Sequence, residues 1–306
     1  MTSNRQISKS LIRKNFSNLE SPKKPEWIKV TSFSKNLNLT ASIVNDQRLT
    51  TVCEEALCPN ISECWNKKHA TFMILGEVCT RSCSFCNIQT GKPSDVDPFE
   101  PLRVAKAVKS LNLKHVVITS VDRDDLHDGG ASHFVQTISK IRDLNREVSI
   151  EILTPDFKNK INAINKIITC KVDVFNHNLE TVKRLYNEVR PGADYNSSLN
   201  LLNTFKLNSS NTFTKSGIMI GLGENEDEIL GLMDDLIVNG VDFLTIGQYL
   251  RPSKNHYPVI EYHHPSYFDH LKEIAIGKGF KIVSSTPFTR SSYHADDDFR
   301  DLKNTN

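Results

Sequence analysis

The chain has 306 residues, 38 Lys and Arg against 36 Asp and Glu, and a formal net charge of +2. That near balance argues against a nucleic-acid partner or an anionic membrane surface as the main partner of the whole chain. The length is enough to bury the core of a one-domain α/β barrel. No apolar stretch approaches the length of a transmembrane helix. The opening MTSNRQISKSLIRKNFSNLE lacks the apolar centre of a secretory signal, so a cytoplasmic protein is expected.

Residues 1–50 are polar and rich in Lys and Asn; only PEWIKV and SIVNDQRL read as ordered pieces. This part is expected to be an N-terminal extension packed on the body, followed by a cysteine-bearing segment at 51–69. From residue 70 short apolar runs alternate with amphipathic stretches. The expected strands are ATFMILG (70–76), KHVVITS (114–120), VSIEIL (148–153), VDVFNH (172–177), TKSGIMIG (214–221) and FLTIG (243–247). Between them PLRVAKAVKSL, HFVQTISKIRDL, KNKINAINKII, LETVKRLYNEV and EDEILGLMDDLIV carry helical periodicity. Strands alternating with helices imply βαβ units on a parallel sheet. The expected fold is α/β, a partial (β/α)6 TIM-type barrel over 70–280, with the N-terminal extension and a C-terminal one at 281–306 covering its open face.

Six of the seven cysteines fall between residues 53 and 86, in two triplets. Cys53, Cys58 and Cys64 lie in CEEALCPNISECW; Cys79, Cys83 and Cys86 lie in CTRSCSFC. Each set is one ligand short of four. A disulfide framework does not suit a chain of this length expected in a reducing compartment. Thiolates bind zinc and iron–sulfur clusters alike, so both metals stay open on ligand type. Spacing leans towards iron, because structural zinc sites close four ligands, commonly from two CxxC-like pairs. A cubane held by three thiolates leaves one iron open to a small molecule, and the amino and carboxylate groups of S-adenosylmethionine are suitable chelators. Cys170, among apolar residues, reads as a structural thiol.

Position supports a shared site. In a parallel α/β barrel, functional groups gather on loops after the C-terminal ends of the strands. CTRSCSFC follows the first expected strand, SVDRDDLHDGG the second, TPDF the third, HNLET the fourth, GLGENE the fifth and QYLRPS the sixth. The acids of SVDRDDLHDGG read equally as a solvated loop with a helix cap at Asp128 or as partners for an ammonium group. Asn178 and Glu180 sit at a strand end. Arg190 reads either as half of a surface ion pair or as a donor to a carboxylate. The glycines of GIMIGLGE, Gly221 among them, would let a flat base lie against the strand. On the functional reading Asp122, Asn178, Glu180, Arg190 and Gly221 are the cofactor contacts. RSSYHAD (290–296) offers a serine oxygen, a hard and therefore labile donor, to the first triplet.

These segments together resemble the lipoyl synthase family of radical S-adenosylmethionine enzymes. The likeness runs from about residue 50 to residue 296. It is carried by CEEALCPNISECW, ATFMILGEVCTRSCSFCNIQTGKP, SVDRDDLHDGGASHF, FNHNLETV, VRPGADY, KSGIMIGLGE and RSSYHAD. The resemblance implies that Cys79, Cys83 and Cys86 hold the [4Fe–4S] cluster that cleaves S-adenosylmethionine to methionine and a 5′-deoxyadenosyl radical. It implies an auxiliary [4Fe–4S] cluster on Cys53, Cys58 and Cys64, with Ser292 favoured over Ser291 as fourth ligand. The implied reaction, using two S-adenosylmethionine molecules, inserts sulfur from the auxiliary cluster at C6 and C8 of an octanoyl chain on a lysine of a lipoyl carrier domain. The implied partners are octanoylated carrier domains, an electron donor and a cluster assembly or repair protein. The chain departs from the family pattern at Asn87, His127, Asn225 and Arg251, none of them a cysteine. A radical methylthiotransferase is a competing reading without an appended nucleic-acid-binding module to support it, and a two-site zinc protein is a third.

Overall fold

A computed structural model describes residues 14–29, 37–67, 69–293, 295 and 299. Positions 294 and 296 of RSSYHAD, residue 30 of PEWIKV, and most of the extensions at 1–13 and beyond 293 lie outside the described residues. The body is one eight-stranded sheet: β1 (Thr50–Thr51), β2 (Thr71–Ile74), β3 (His115–Ser120), β4 (Ser149–Leu153), β5 (Val174–Asn176), β6 (Phe213–Ile220), β7 (Phe243–Gln248) and β8 (Ile282–Ser285). The strands lie side by side in chain order. Every pairing is parallel except that of β1 with β2. Such strands are buried on both faces and therefore read as continuous apolar runs, as in the fully buried TFMI of β2. The first and last strands of this order do not pair with one another among the described residues, so the sheet is an open, partial barrel.

All six expected strands are present, and the sheet is longer by one strand at each edge. β8, taken from the sequence as part of the C-terminal extension, pairs in parallel with β7. The crossovers are α4 (Glu100–Leu111), α5 (Ala131–Leu144), α6 (Ile161–Ile168), α8 (Tyr195–Asn208), α9 (Glu226–Val238) and α10 (Pro265–Lys278). The amphipathic stretch at 179–189 is not one helix. Glu180 has φ 67°, in the left-handed region, and its backbone pairs with the end of β6 through Glu180 N to Gly217 O (3.0 Å) and Met219 N to Glu180 O (2.8 Å). Only a 3-10 turn (Lys183–Leu185) and α7 (Tyr186–Val189) remain helical there, and α8 makes the crossover instead. Asp194 caps α8 by accepting from Ser197 N at 2.7 Å, and the Phe205 ring stacks on Phe175 of β5 at 3.9 Å. Among the described residues no helix is long and apolar enough to cross a membrane.

The interior also holds charge. Lys215 on β6 is fully buried beside Glu151 on β4, Nζ to Oε1 at 3.2 Å, and Asn176 donates to the same carboxylate at 2.8 Å. Burial pushes the Glu151 carboxyl up, but Lys215, His115 and Asn176 outweigh it and hold the group below its usual range. Removing one partner of such a pair leaves an uncompensated buried charge. Lys215→Ala is therefore expected to cost about 3–5 kcal/mol in urea unfolding of the apoprotein. Lys215→Met combined with Glu151→Leu should recover most of that loss. A single replacement costing no more than a surface substitution would contradict this account.

Candidate metal centres and active site

At the end of β2 the chain reverses through Leu75 (φ 71°) and Gly76 (φ 90°), which launches the loop bearing Cys79, Cys83 and Cys86. A two-residue parallel pairing of Val78–Cys79 with Gln89–Thr90 closes the loop. The guanidinium of Arg81, only 3% exposed, fixes it to the body. Arg81 donates twice to Asp124, at 2.9 Å each, and twice to Asp156, at 2.8 and 2.5 Å. The Asp122 carboxylate lies 3.4 Å from Arg81 Nε and 3.7 Å from Cys79 Sγ. These acids follow β3 and β4, so one side chain joins three strand ends. Burial raises the Asp122 carboxyl. Burial acts on Asp156 in the same sense, but Arg81 overrides it and brings that group down to about 2.

The first triplet is built from two short helices. α2 (Val52–Glu55) carries Cys53 and is capped by Thr51; α3 (Ile61–Asn66) carries Cys64. The turn between them passes Leu57 at φ 50° and presents Cys58. The three sulfurs line one recess together with Ser292, Arg290 and His115. Two hydrogen bonds bring the distant C-terminal segment there: Asn60 Nδ2 donates to Phe288 O at 2.8 Å, and Tyr293 Oη to Glu63 Oε2 at 2.8 Å. The two serines differ in position, for Ser291 Oγ accepts from Asn178 Nδ2 at 2.6 Å while Ser292 faces the recess.

Both triplets open on a cavity of about 520 Å³, lined by Cys53, Cys58, Ser292 and Arg290 from one centre and by Cys79, Cys83 and Cys86 from the other. Of the expected cofactor contacts, Asp122, Asn178, Glu180 and Arg190 line it. Gly221 does not. With φ +97° it sits against Gln248 and Glu261, which a Cβ would meet at 2.2 and 2.4 Å, so its freedom serves a turn. The glycine that makes room is Gly217, whose Cβ would strike Thr245 Oγ1 at 2.6 Å, Asn178 Oδ1 at 2.9 Å and Ser291 Oγ at 3.0 Å. Arg190 is no surface ion pair: it is 8% exposed and donates to Asn178 O at 2.9 Å and to Tyr186 Oη at 2.7 Å.

The wall contains buried polar atoms without a partner, namely Ser120 Oγ, Thr154 Oγ1, Asn178 Oδ1 and Arg190 Nε. An unmet buried donor or acceptor is costly, and a ligand carrying ammonium, carboxylate and hydroxyl groups would satisfy these. None of the seven cysteines forms a disulfide. Burial pushes the thiols up, Cys53 to about 11 and Cys83 to about 12, so loading either triplet with metal releases protons. Among the described residues no three His, Cys, Asp or Glu side chains converge as a single ion requires. Thiolates on a cubane bind separate irons and need no such convergence. The donors therefore fit thiolate-held clusters and a polar, zwitterionic ligand.

Three departures from the family pattern have a structural account. Asn87 Nδ2 donates to Glu55 O at 2.8 Å, joining the second cysteine loop to the helix of Cys53. Asn225 forms a capping box with Glu228 at the start of α9, and Arg251 holds residues near the N-terminus as described below. Nothing in the structure explains His127, which is exposed. Sequence reasoning missed Arg81, Asp156, Gly217 and Arg290 as site residues, although each lies inside or beside a motif it had singled out.

The Asp156 contact has a pH signature. A carboxyl lowered from 3.8 to about 2 contributes stability that is fully present above about pH 4 and is lost as pH falls through about 2. Asp156→Asn is expected to cost about 2 kcal/mol at neutral pH and to flatten this acid limb of the urea midpoint. Curves for wild type and variant that run parallel from pH 5 to pH 2 would refute the assignment.

A profile of the Radical SAM superfamily matches residues 73–236, more than half of the chain. Among solved structures, Streptococcus suis SuiB bound to the precursor peptide SuiA is similar with a TM-score of 0.55 and 13% identity over 74% of this chain. The match spans 52% of SuiB, about half of its length. Methylornithine synthase (PylB) is similar with a TM-score of 0.52 and 15% identity, covering 73% of this chain and 75% of that one. At these identities the likeness concerns the fold. The open parallel barrel with its CxxxCxxC loop at the end of β2, together with the matched profile, establishes that the chain belongs to the radical SAM superfamily, whose chemistry uses S-adenosylmethionine and a [4Fe–4S] cluster.

Proposed function

We propose that the chain is a lipoyl synthase, which inserts sulfur at C6 and C8 of an octanoyl group on a lysine of a lipoyl carrier domain. One observation carries the reading. The first cysteine triplet and Ser292, more than two hundred residues apart in sequence, line one recess that opens on the cavity of the second triplet. A radical enzyme with a single cluster has no use for that second thiolate set.

When bound, the clusters and S-adenosylmethionine supply hydrogen-atom abstraction from unactivated C–H bonds and a source of sulfur. The chain's own residues bind and shield. Cys79, Cys83 and Cys86 would hold one cluster; Cys53, Cys58, Cys64 and Ser292 the other. On this reading Arg190, whose Nε has no partner, would donate to a carboxylate, and Asp122 and Glu180, which line the cavity, would accept from an ammonium group. Met73, Val121, Ile218, Met219 and Tyr249 give the cavity an apolar wall suited to an acyl chain and to exclusion of water. The protein partners on this reading are an octanoylated carrier domain, an electron donor and a protein that rebuilds the second cluster.

The test is to incubate the anaerobically reconstituted protein with reductant, S-adenosylmethionine and an octanoyl-lysyl peptide. Thiolated peptide together with 5′-deoxyadenosine is expected. 5′-Deoxyadenosine without thiolated peptide would defeat the sulfur-insertion reading and leave the superfamily assignment intact. Ser292→Ala is expected to alter the spectrum of the second cluster and Ser291→Ala to leave it near wild type; unchanged spectra in both would sink the serine ligand.

A further inference from the structure

Residues 16–24 reach the wall of the active-site cavity, and one side chain fastens them. Arg251, in the loop after β7, donates from NH1 to Leu19 O at 2.8 Å and Ser21 Oγ at 3.2 Å, and from NH2 to Phe16 O at 2.9 Å. The same guanidinium holds its own loop through His256 O at 3.0 Å and Lys254 O at 2.6 Å. Ser21 Oγ also accepts from Val259 N at 3.0 Å, and the buried Phe16 ring packs edge-on against Tyr257 at 5.1 Å. From this loop the contacts continue to the second cysteine triplet. Tyr257 N donates to Ser84 O at 2.9 Å, and His256 Nε2 pairs with Cys86 O at 3.1 Å. Lys24 and Arg251 themselves line the cavity.

We propose that Arg251 is a positioning residue for the radical-generating centre. It straps residues 16–24 to the 251–257 loop, which in turn sets the backbone of Ser84 and Cys86. The role needs the forked guanidinium with its five N–H donors; a glutamine amide has two and cannot span both segments. The strap closes one side of the cysteine loop against solvent. This inference rests on the reading of Cys79, Cys83 and Cys86 as cluster ligands, and the experiment separates the two.

Full-length wild type, Arg251→Gln, Arg251→Lys and Ser21→Ala are compared in two ways. In trypsin digestion of the apoprotein, cleavage after Lys14 and Lys23 should rise about tenfold in Arg251→Gln, as expected when several hydrogen bonds holding a local segment are lost. The second readout uses a background in which Cys53, Cys58 and Cys64 are alanine, so that absorbance and electron paramagnetic resonance report only the second triplet. There Arg251→Gln should bleach several-fold faster with an iron chelator and show an altered spectrum on adding S-adenosylmethionine, with Arg251→Lys intermediate. Ser21→Ala, which deletes two of the contacts, should shift both readouts in the same direction by a smaller factor and serves should Arg251→Gln not fold. Wild-type cleavage rates in the variants overturn the strap. Faster cleavage with unchanged bleaching and spectra overturns the positioning role. No iron uptake by the background protein at all overturns the cluster reading and the proposal with it, a result distinct from the other two.

Discussion

The buried guanidinium of Arg81 is the contact on which the site depends. A cysteine loop between two strands has little reason to hold one shape unless its backbone is fixed to the body. Arg81 supplies that shape from inside the loop by gripping Asp124 and Asp156 at the ends of two neighbouring strands. A charge at 3% exposure survives only because its hydrogen bonds to carboxylates are met. The same guanidinium lies near the Asp122 carboxylate, which sits beside Cys79 and lines the cavity.

Around this anchor the two ends of the chain are recruited to one face. The C-terminal segment is held to the first triplet through Asn60 and Tyr293, the N-terminal segment to the second through Arg251, and Asn87 joins the triplets to one another. An open sheet needs such covers, because its unpaired edges and inner face would otherwise meet water. The covers carry side chains to the site as well as surface, which is why cysteines close in sequence and a serine far away line one recess.

The six inner strands were legible because parallel strands buried on both faces leave short, mostly apolar runs, even where β4 and β6 carry Glu151 and Lys215. β8 was not, since IVSS is short and half polar, and α8 was hidden by the Asn- and Ser-rich YNSSLNLLNTFKLN. The stretch at 179–189 has helical periodicity, but tertiary pairing of Glu180 with β6 overrides it. Cysteine spacing marked the two sets of thiols that line the recess and the cavity. Spacing could not say which glycine faces the cavity, because Gly217 and Gly221 lie four residues apart and are told apart by the backbone turn at Gly221 and by what a Cβ would meet. Nor could it reveal the role of Arg81, whose partners come from two other loops.

The central claim is that the two triplets are separate centres facing one cavity. Iron and acid-labile sulfide per chain, measured with Mössbauer spectra on the anaerobically reconstituted protein and on two variants each lacking one triplet, test it most directly. The account predicts the iron and sulfide of two [4Fe–4S] clusters in the wild type and half of that in each variant, with distinct spectra. Loss of all iron when either triplet is removed, or zinc without sulfide in the wild type, would contradict it.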